Sequence, residues 1–384
     1  MGYASALGVL NKSVRGEEVA FEDCARMTSS LEFAFVASAG NGASPADDAK
    51  SSGIHVFEVC GDRWDWKQRI PSRSPASLSL HPALDVLYVA NKVDEHEGMP
   101  RGTVEAYKIN AHDGTLAFIN RQPLSLSGIH PTHIAVSPDG NYLVVAIHGG
   151  GAYNVLRIDP DGGIGSVAQI LKEVGSGPHP VYQTAAHPHA VVFDSGGQYF
   201  FASDEGCDRL SLFSFQKGRM TRTAETLCNP GSGPEQLVLH PAGGFLYVSN
   251  CLDTSVDCYR YGACVSGLKH EQRVRTSSTA ISDQGQYIAL SSSGNFLYAA
   301  SVEGISVWRV DSITGRLSLI RQRSFENRML QFLSVSADDR RLFAIDGRRH
   351  EILSIPVHGG SRELGEVLVV AKVIAPERLI VRSA

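Results

Sequence analysis

The chain has no Cys-x-x-Cys pair, no surplus of positive charge and no apolar run long enough to cross a bilayer. Each absence removes a class of function. The seven cysteines, at positions 24, 60, 207, 228, 251, 258 and 264, are odd in number and irregularly spaced. That fits neither a disulfide framework nor a zinc knuckle, so reduced and mostly buried thiols are expected. Lys and Arg total 35 against 40 Asp and Glu, a net charge of −5. Such a balance gives no electrostatic footprint for nucleic acid and no basic bias toward a membrane surface. The longest uncharged stretch, between Glu173 and Asp194, is interrupted by Pro, His and Gly and cannot form a membrane span. No basic residue precedes the short apolar segment 4–10. A cleaved signal peptide is therefore not expected, and the reading is of a soluble, cytoplasmic protein. Apolar residues do not recur at the helical period, which excludes tandem helices. Trp64-Asp65 is the only Trp-Asp pair, which excludes a WD40 array.

What is present is a repeat. Residues 78–91 read LSLHPALDVLYVAN, 134–146 IAVSPDGNYLVVA, 191–204 VVFDSGGQYFFASD, 237–250 LVLHPAGGFLYVSN, 288–301 IALSSSGNFLYAAS and 333–346 LSVSADDRRLFAID. A truncated copy, FAFVAS at 33–38, begins the series. Aligned on Val36, Val89, Val145, Ala202, Val248, Ala299 and Ala344, the copies are spaced by 53, 56, 57, 46, 51 and 45 residues. That is close to the ~40–50-residue period of propeller blades. The half-units are rich in Val, Leu, Phe and Tyr, which favour strands, and the Gly-containing turns between them supply positive φ. A third apolar run follows each pair, and a fourth often follows a turn and Leu. The expectation is an all-β, seven-bladed β-propeller. A ring must close or leave two sheet edges exposed, so residues 379–381 are expected to supply the innermost strand of the blade begun at Phe33. Residues 31–384 then form a single propeller, with residues 1–30 an N-terminal strap outside it.

Loops of a propeller converge on its axis, and six of the 14 histidines lie between 130 and 189. The densest stretch, EVGSGPHPVYQTAAHPHAVVFD, precedes an inner strand, so of His187 and His189, which flank Pro188, one faces the channel. A neutral imidazole there can take a proton from water. His133 holds the matching place one blade earlier, and His148 starts the turn Gly149-Gly150-Gly151. In SDEGCDRL, Asp204 can orient a histidine, and Arg209 can hold an anionic group through two parallel hydrogen bonds. Two histidines do not make a metal site, and neither metal nor cofactor is expected.

The runs HPTHIAVSPDGNYLVVA, HPHAVVFD, SDEGCDRLSLFSF and GSGPEQLVLHPAGGFLYVSNCLDTSV resemble the bacterial lactonase propellers. These include propeller-type 6-phosphogluconolactonases and the fungal carboxy-cis,cis-muconate cyclases. The resemblance runs from about Glu32 to the C-terminus and is strongest over 128–261. It implies a channel site in which His189 is the acid–base residue, with Asp204 and Arg209 as catalytic partners and His133 at a matched position. Substrate contacts are expected from His133, His148, His187, Glu235 and Asn250. The chain departs from the family at Glu235, where the family has Arg, and at Cys251, after Asn250, where it has Glu. The charge reversal disfavours strongly anionic substrates unless Arg209, Lys92 or Arg275 compensates. The leading expectation is a lactone hydrolase whose partner is a small lactone or sugar acid. The alternatives are a catalytically degenerate propeller that binds a ligand or protein, and a cyclase-like lactonising isomerase.

Overall fold

The recurring apolar runs become the middle strands of seven antiparallel sheets. The computed structural model describes residues 32–40, 51–262, 267–277, 286–301, 303–325, 327–360 and 362–383; residues 1–30, read above as a strap, lie outside them. Each blade has four strands paired in order from the axis outward, and the blade begun near residue 330 carries a small fifth strand. Burial follows position in the blade. The second strands, such as Val86–Asn91 and Phe245–Asn250, are buried along their whole length, because both faces pack on neighbouring blades. Outer strands such as Ile164–Lys172 alternate between covered and exposed residues, as expected of a sheet with one wet face.

The core is divided into seven clusters, each shared by two adjacent blades. Consecutive side chains on a strand point to opposite faces. With blades numbered in chain order from the one that begins at Glu32, Leu87 of blade 2 packs toward blade 1 and Tyr88 toward blade 3. The aromatic of the repeat also reaches the next blade through its hydroxyl: Tyr88 donates to Gly162 O at 3.0 Å, and Tyr247 to Gly315 O at 2.9 Å. Gly315 has φ +72°, and a Cβ there would collide with the Phe245 ring, so both backbone conformation and packing require glycine.

The ring closes as expected. Strand Pro376–Ser383 pairs with Glu32–Ser38, with Leu379 opposite Val36 and Val381 opposite Ala34. One thiol expectation fails. Cys60 is disulfide-bonded, whereas Cys207, Cys228, Cys251 and Cys258 are free.

The seven innermost strands are Pro75–Leu80, Pro131–Val136, Pro188–Phe193, Pro234–Leu239, Tyr287–Leu290, Leu330–Val335 and Pro376–Ser383. Five open on proline, which lacks an N–H and is tolerated at the first residue of a strand. Just after the proline the register slips, skipping Thr132 in blade 3, His189 in blade 4 and Glu235 with Gln236 in blade 5. A bulge frees a residue from the ladder and re-aims its side chain. The residues freed here stand where the inner strands meet at the axis.

Candidate active site

His189 and Glu235 are bulge residues on adjacent inner strands, and their side chains meet with Nε2 3.6 Å from Oε1. Both are nearly covered, with side chains 13% and 9% exposed. Their backbones are tied across the blade boundaries. Thr132 Oγ1 donates to His189 O at 2.9 Å, and Ser203 Oγ donates to Glu235 O at 2.7 Å while accepting from Ala190 N. The pair is thus held by the scaffold rather than by a mobile loop.

A second layer comes from the residues that follow the second strands, at the same end of the ring. His148 Nε2 lies 3.3 Å from Glu205 Oε2. The His148 ring stacks on His187 at 4.3 Å and stands edge-on to His189 at 6.0 Å. His187 Nδ1 donates to His148 O at 3.0 Å, which fixes a neutral His187 as the Nδ1–H tautomer. Gly206, in the short turn Glu205–Cys207, has no room for a Cβ against Ala185 O and His187, so glycine is what lets Glu205 approach the histidines.

Electrostatics separates the titratable groups. Burial lowers the His189 pKa to about 3, and of its charged neighbours Glu205 opposes this while His148, Arg378 and His133 add to it. Burial, with help from Arg378, lowers His133 to about 4. Burial and the Glu205 charge push the Glu235 carboxyl up to about 7, partly offset by Arg378, the Gln286 N–H and Lys92. The neighbouring Cys251 thiol is also held up by burial and by Glu235 and Glu205, so it is a neutral contact rather than a nucleophile.

Arg378 escaped sequence reasoning. It lies on the closing strand, and its guanidinium sits 5.7 Å from the Tyr287 ring centroid and 5.9 Å from that of Phe332. Its charge acts on His133, His189, Glu235 and Tyr287, so it is a cation whose field reaches the His189–Glu235 pair. A signal was available: Arg378 stands two residues after Pro376, as His133 stands two after Pro131.

The structure does not bring Arg209 to His189. Its guanidinium is held by Glu173 at 2.6 Å, Asp204 at 3.1 Å and Glu225 at 3.5 Å. Asp204 in turn accepts from His187 N at 2.8 Å. Comparable buried networks recur in other blades, with Arg328 on Asp346 and Glu351, and Arg273 on Asp253 and Asp257. Asn250 belongs to the last of these, donating to Ser255 Oγ and Asp257 Oδ2. Arg209, Asp204 and Asn250 therefore bind strands to each other, while the His148 ring meets those of His187 and His189, His189 meets Glu235, and His133 lies near enough for its charge to act on His189. Among the described residues no three His, Cys, Asp or Glu side chains are arranged to hold a metal ion.

The family described as Lactonase, 7-bladed beta-propeller matches residues 42–381. The chain belongs to this family. Among relatives of this lactonase propeller, a 6-phosphogluconolactonase of Bacillus subtilis is 26% identical over 283 residues, covering 72% of this chain and 79% of its own. A 6-phosphogluconolactonase of Formosa agariphila is 27% identical over 288 residues, covering 71% and 79%. A solved periplasmic gluconolactonase of Pseudomonas aeruginosa superposes with TM-score 0.80 at 25% identity over 92% of this chain and 99% of its own. A putative 6-phosphogluconolactonase of Bacteroides fragilis superposes with TM-score 0.82 at 22% identity over 93% and 99%, a likeness of fold alone. No helix among the described residues is long and apolar enough to cross a membrane.

Proposed function

We propose that the chain hydrolyses a sugar lactone at the axis of the ring, with Glu235 and His189 handling the water and Arg378 the developing oxyanion. The observation that carries this reading is the 3.6 Å contact between an imidazole and a carboxyl group on adjacent inner-strand bulges. The names of the family and its relatives support the same chemistry.

The family resemblance assigns the proton to His189. A histidine with its pKa near 3 is too weak a base for that task at neutral pH, whereas a carboxyl near 7 is well matched to it. Glu235 takes the proton as the water oxygen bonds to the ring carbonyl carbon. His189 stays neutral and, with one donor and one acceptor nitrogen, orients the water. The carbonyl π electrons move onto oxygen, where the Arg378 guanidinium stabilises them. Collapse of the tetrahedral adduct breaks the bond to the ring oxygen, which takes the proton from Glu235 and leaves a hydroxy acid. The Arg-to-Glu change at 235 therefore brings a carboxyl that is partly neutral near pH 7 rather than a fixed negative charge.

The test is acid release from a panel of sugar lactones, followed by pH-stat for the parent, Glu235→Gln and His189→Ala proteins. Loss of a general base lowers kcat by about 10²–10⁴-fold, and that range is expected for Glu235→Gln. Equal rates in parent and variants, or no hydrolysis of any lactone by a folded parent, would remove the reading and favour a binding propeller.

A further inference from the structure

Asp208 closes the turn between the second and third strands of blade 4 in the left-handed region, at φ 49° and ψ 48°. Gly151, Thr254 and His350 hold the same place in blades 3, 5 and 7, with φ 55°, 56° and 58°. The main chain serves one purpose at all four. Its carbonyl accepts the N–H of the residue after the outer strand, from Cys228 at 2.8 Å in blade 4 and from Glu173, Thr276 and Val373 at 2.8, 3.1 and 3.0 Å in the others. The scaffold therefore accounts for the backbone of Asp208, but not for what its side chain carries.

That side chain is 5% exposed, and a buried carboxylate persists only where donors surround it. Oδ1 accepts from Gly233 N and from Gln183 Nε2, both at 2.8 Å, with Ser232 Oγ at 3.4 Å; Oδ2 accepts from Gly231 N at 2.6 Å. Residues 231–233 run directly into Pro234 and the bulge that frees Glu235. Gln183, fully buried, carries the other half of the connection. Its Nε2 also donates to Glu205 O at 2.8 Å, and its Oε1 accepts from His179 N at 3.0 Å. Glu205 is fixed at its other end as well, its N donating to His187 O at 3.0 Å. The Glu205 side chain, 13% exposed, then meets His148 at 3.3 Å. One carboxylate and one amide thus join the run into Glu235, the turn that bears Glu205 and the run into His187.

We propose that Asp208 and Gln183 are positioning residues of the candidate active site, a joint that sets Glu205 of blade 4 at a fixed separation from Glu235 of blade 5. Its bearing on catalysis rests on the lactonase reading of that site. Around Glu235 stand His189 and Glu205 from blade 4, Cys251 from its own blade, Tyr287 from blade 6, Arg378 from the closing strand and Lys92 from the end of a blade 2 strand. Of these, Glu205 alone is an acid. A like charge disfavours ionisation of its neighbour, so the separation fixed by the joint governs the pH at which Glu235 becomes a base. A slackened joint lets Glu205 withdraw, and Glu235 then ionises at lower pH.

The experiment follows the Glu235 carboxyl across pH by NMR of isotope-labelled glutamate side chains in the full chain, its signal being the one that Glu235→Gln lacks. The proteins compared are the parent, Asp208→Asn, Gln183→Met and Glu205→Gln. Asn and Met nearly keep the volumes of the residues they replace, and urea unfolding checks that each variant is folded. Gln183→Met leaves the bonds from Asp208 to residues 231–233 in place, so the two joint variants act from opposite sides. Glu205→Gln removes the charge itself and is expected to lower the Glu235 midpoint by about 1 in pH. Both joint variants should lower it too, and with any lactone the parent hydrolyses, the rising limb of kcat/KM should move with it. A merely structural role would lower stability and leave these midpoints where they are. A midpoint at or above the parent's in folded Asp208→Asn, Gln183→Met or Glu205→Gln protein overturns the joint, however fast hydrolysis is. Lowered midpoints in a protein that hydrolyses no lactone uphold the joint and remove only the lactonase reading.

Discussion

His133 Nδ1 is buried without a hydrogen-bond partner among the described residues, and the pKa of its ring is depressed to about 4. An unfolded histidine titrates near 6.5, so between these values the unfolded chain binds the extra proton. Stability from this source is therefore present above about pH 6.5 and is lost as pH falls toward 4. His189 acts with the same sign. Glu235 acts with the opposite sign, since its raised pKa makes the folded state the better proton binder until pH passes about 7. His133→Gln is expected to flatten the acid side of the stability profile, measured by urea unfolding at several pH values; an unaltered acid limb would show that His133 is not its source. Arg209 belongs to a different category. Removing it as Arg209→Met leaves the covered Glu173 and Asp204 carboxylates short of a partner, a change of about 3–5 kcal/mol. Denaturant unfolding should show that loss, while the pH dependence of catalysis stays that of the parent. A shifted pH profile at intact stability would return Arg209 to the chemistry.

At the scale of the strand, much was readable and the reasons are local. The third strands expected after each pair of runs occur, among them Thr103–Ile109, Ala152–Ile158 and Gly304–Val310, because apolar runs bounded by Gly turns have few other solutions. The bulges after Pro131, Pro188 and Pro234 were not readable, since a one-residue slip depends on the partner strand. Their consequence, His189 aimed at Glu235 of the next blade, was hidden with them. Arg378 was missed because its channel neighbours, Tyr287 and Phe332, come from distant segments, and RLIV reads only as strand. The closing strand itself was anticipated from the need to cover an edge. Leu379 is 4% exposed in the core shared by blades 7 and 1, so Leu379→Ala should cost about 2–5 kcal/mol. A denaturation midpoint equal to the parent's would mean that closure contributes nothing.

For the whole molecule, seven shared cores lock each blade to two neighbours, and a rigid ring can hold groups from five blades at one axis. His133 comes from blade 3, His148 from the end of a blade 3 strand, His189 and Glu205 from blade 4, Glu235 from blade 5, Tyr287 from blade 6 and Arg378 from blade 1. The scaffold thereby keeps a weakly basic histidine and a proton-retaining carboxyl in contact, which open solvent would not sustain. The profile of kcat/KM against pH for a neutral sugar lactone reports the essential groups of the free protein. It is predicted to rise through an apparent pKa of about 7, as Glu235 ionises, and to level above it, with no inflection from His189 in the neutral range. A profile that is flat across neutrality, or that falls as pH rises through 7, would contradict the assignment of Glu235 as the base.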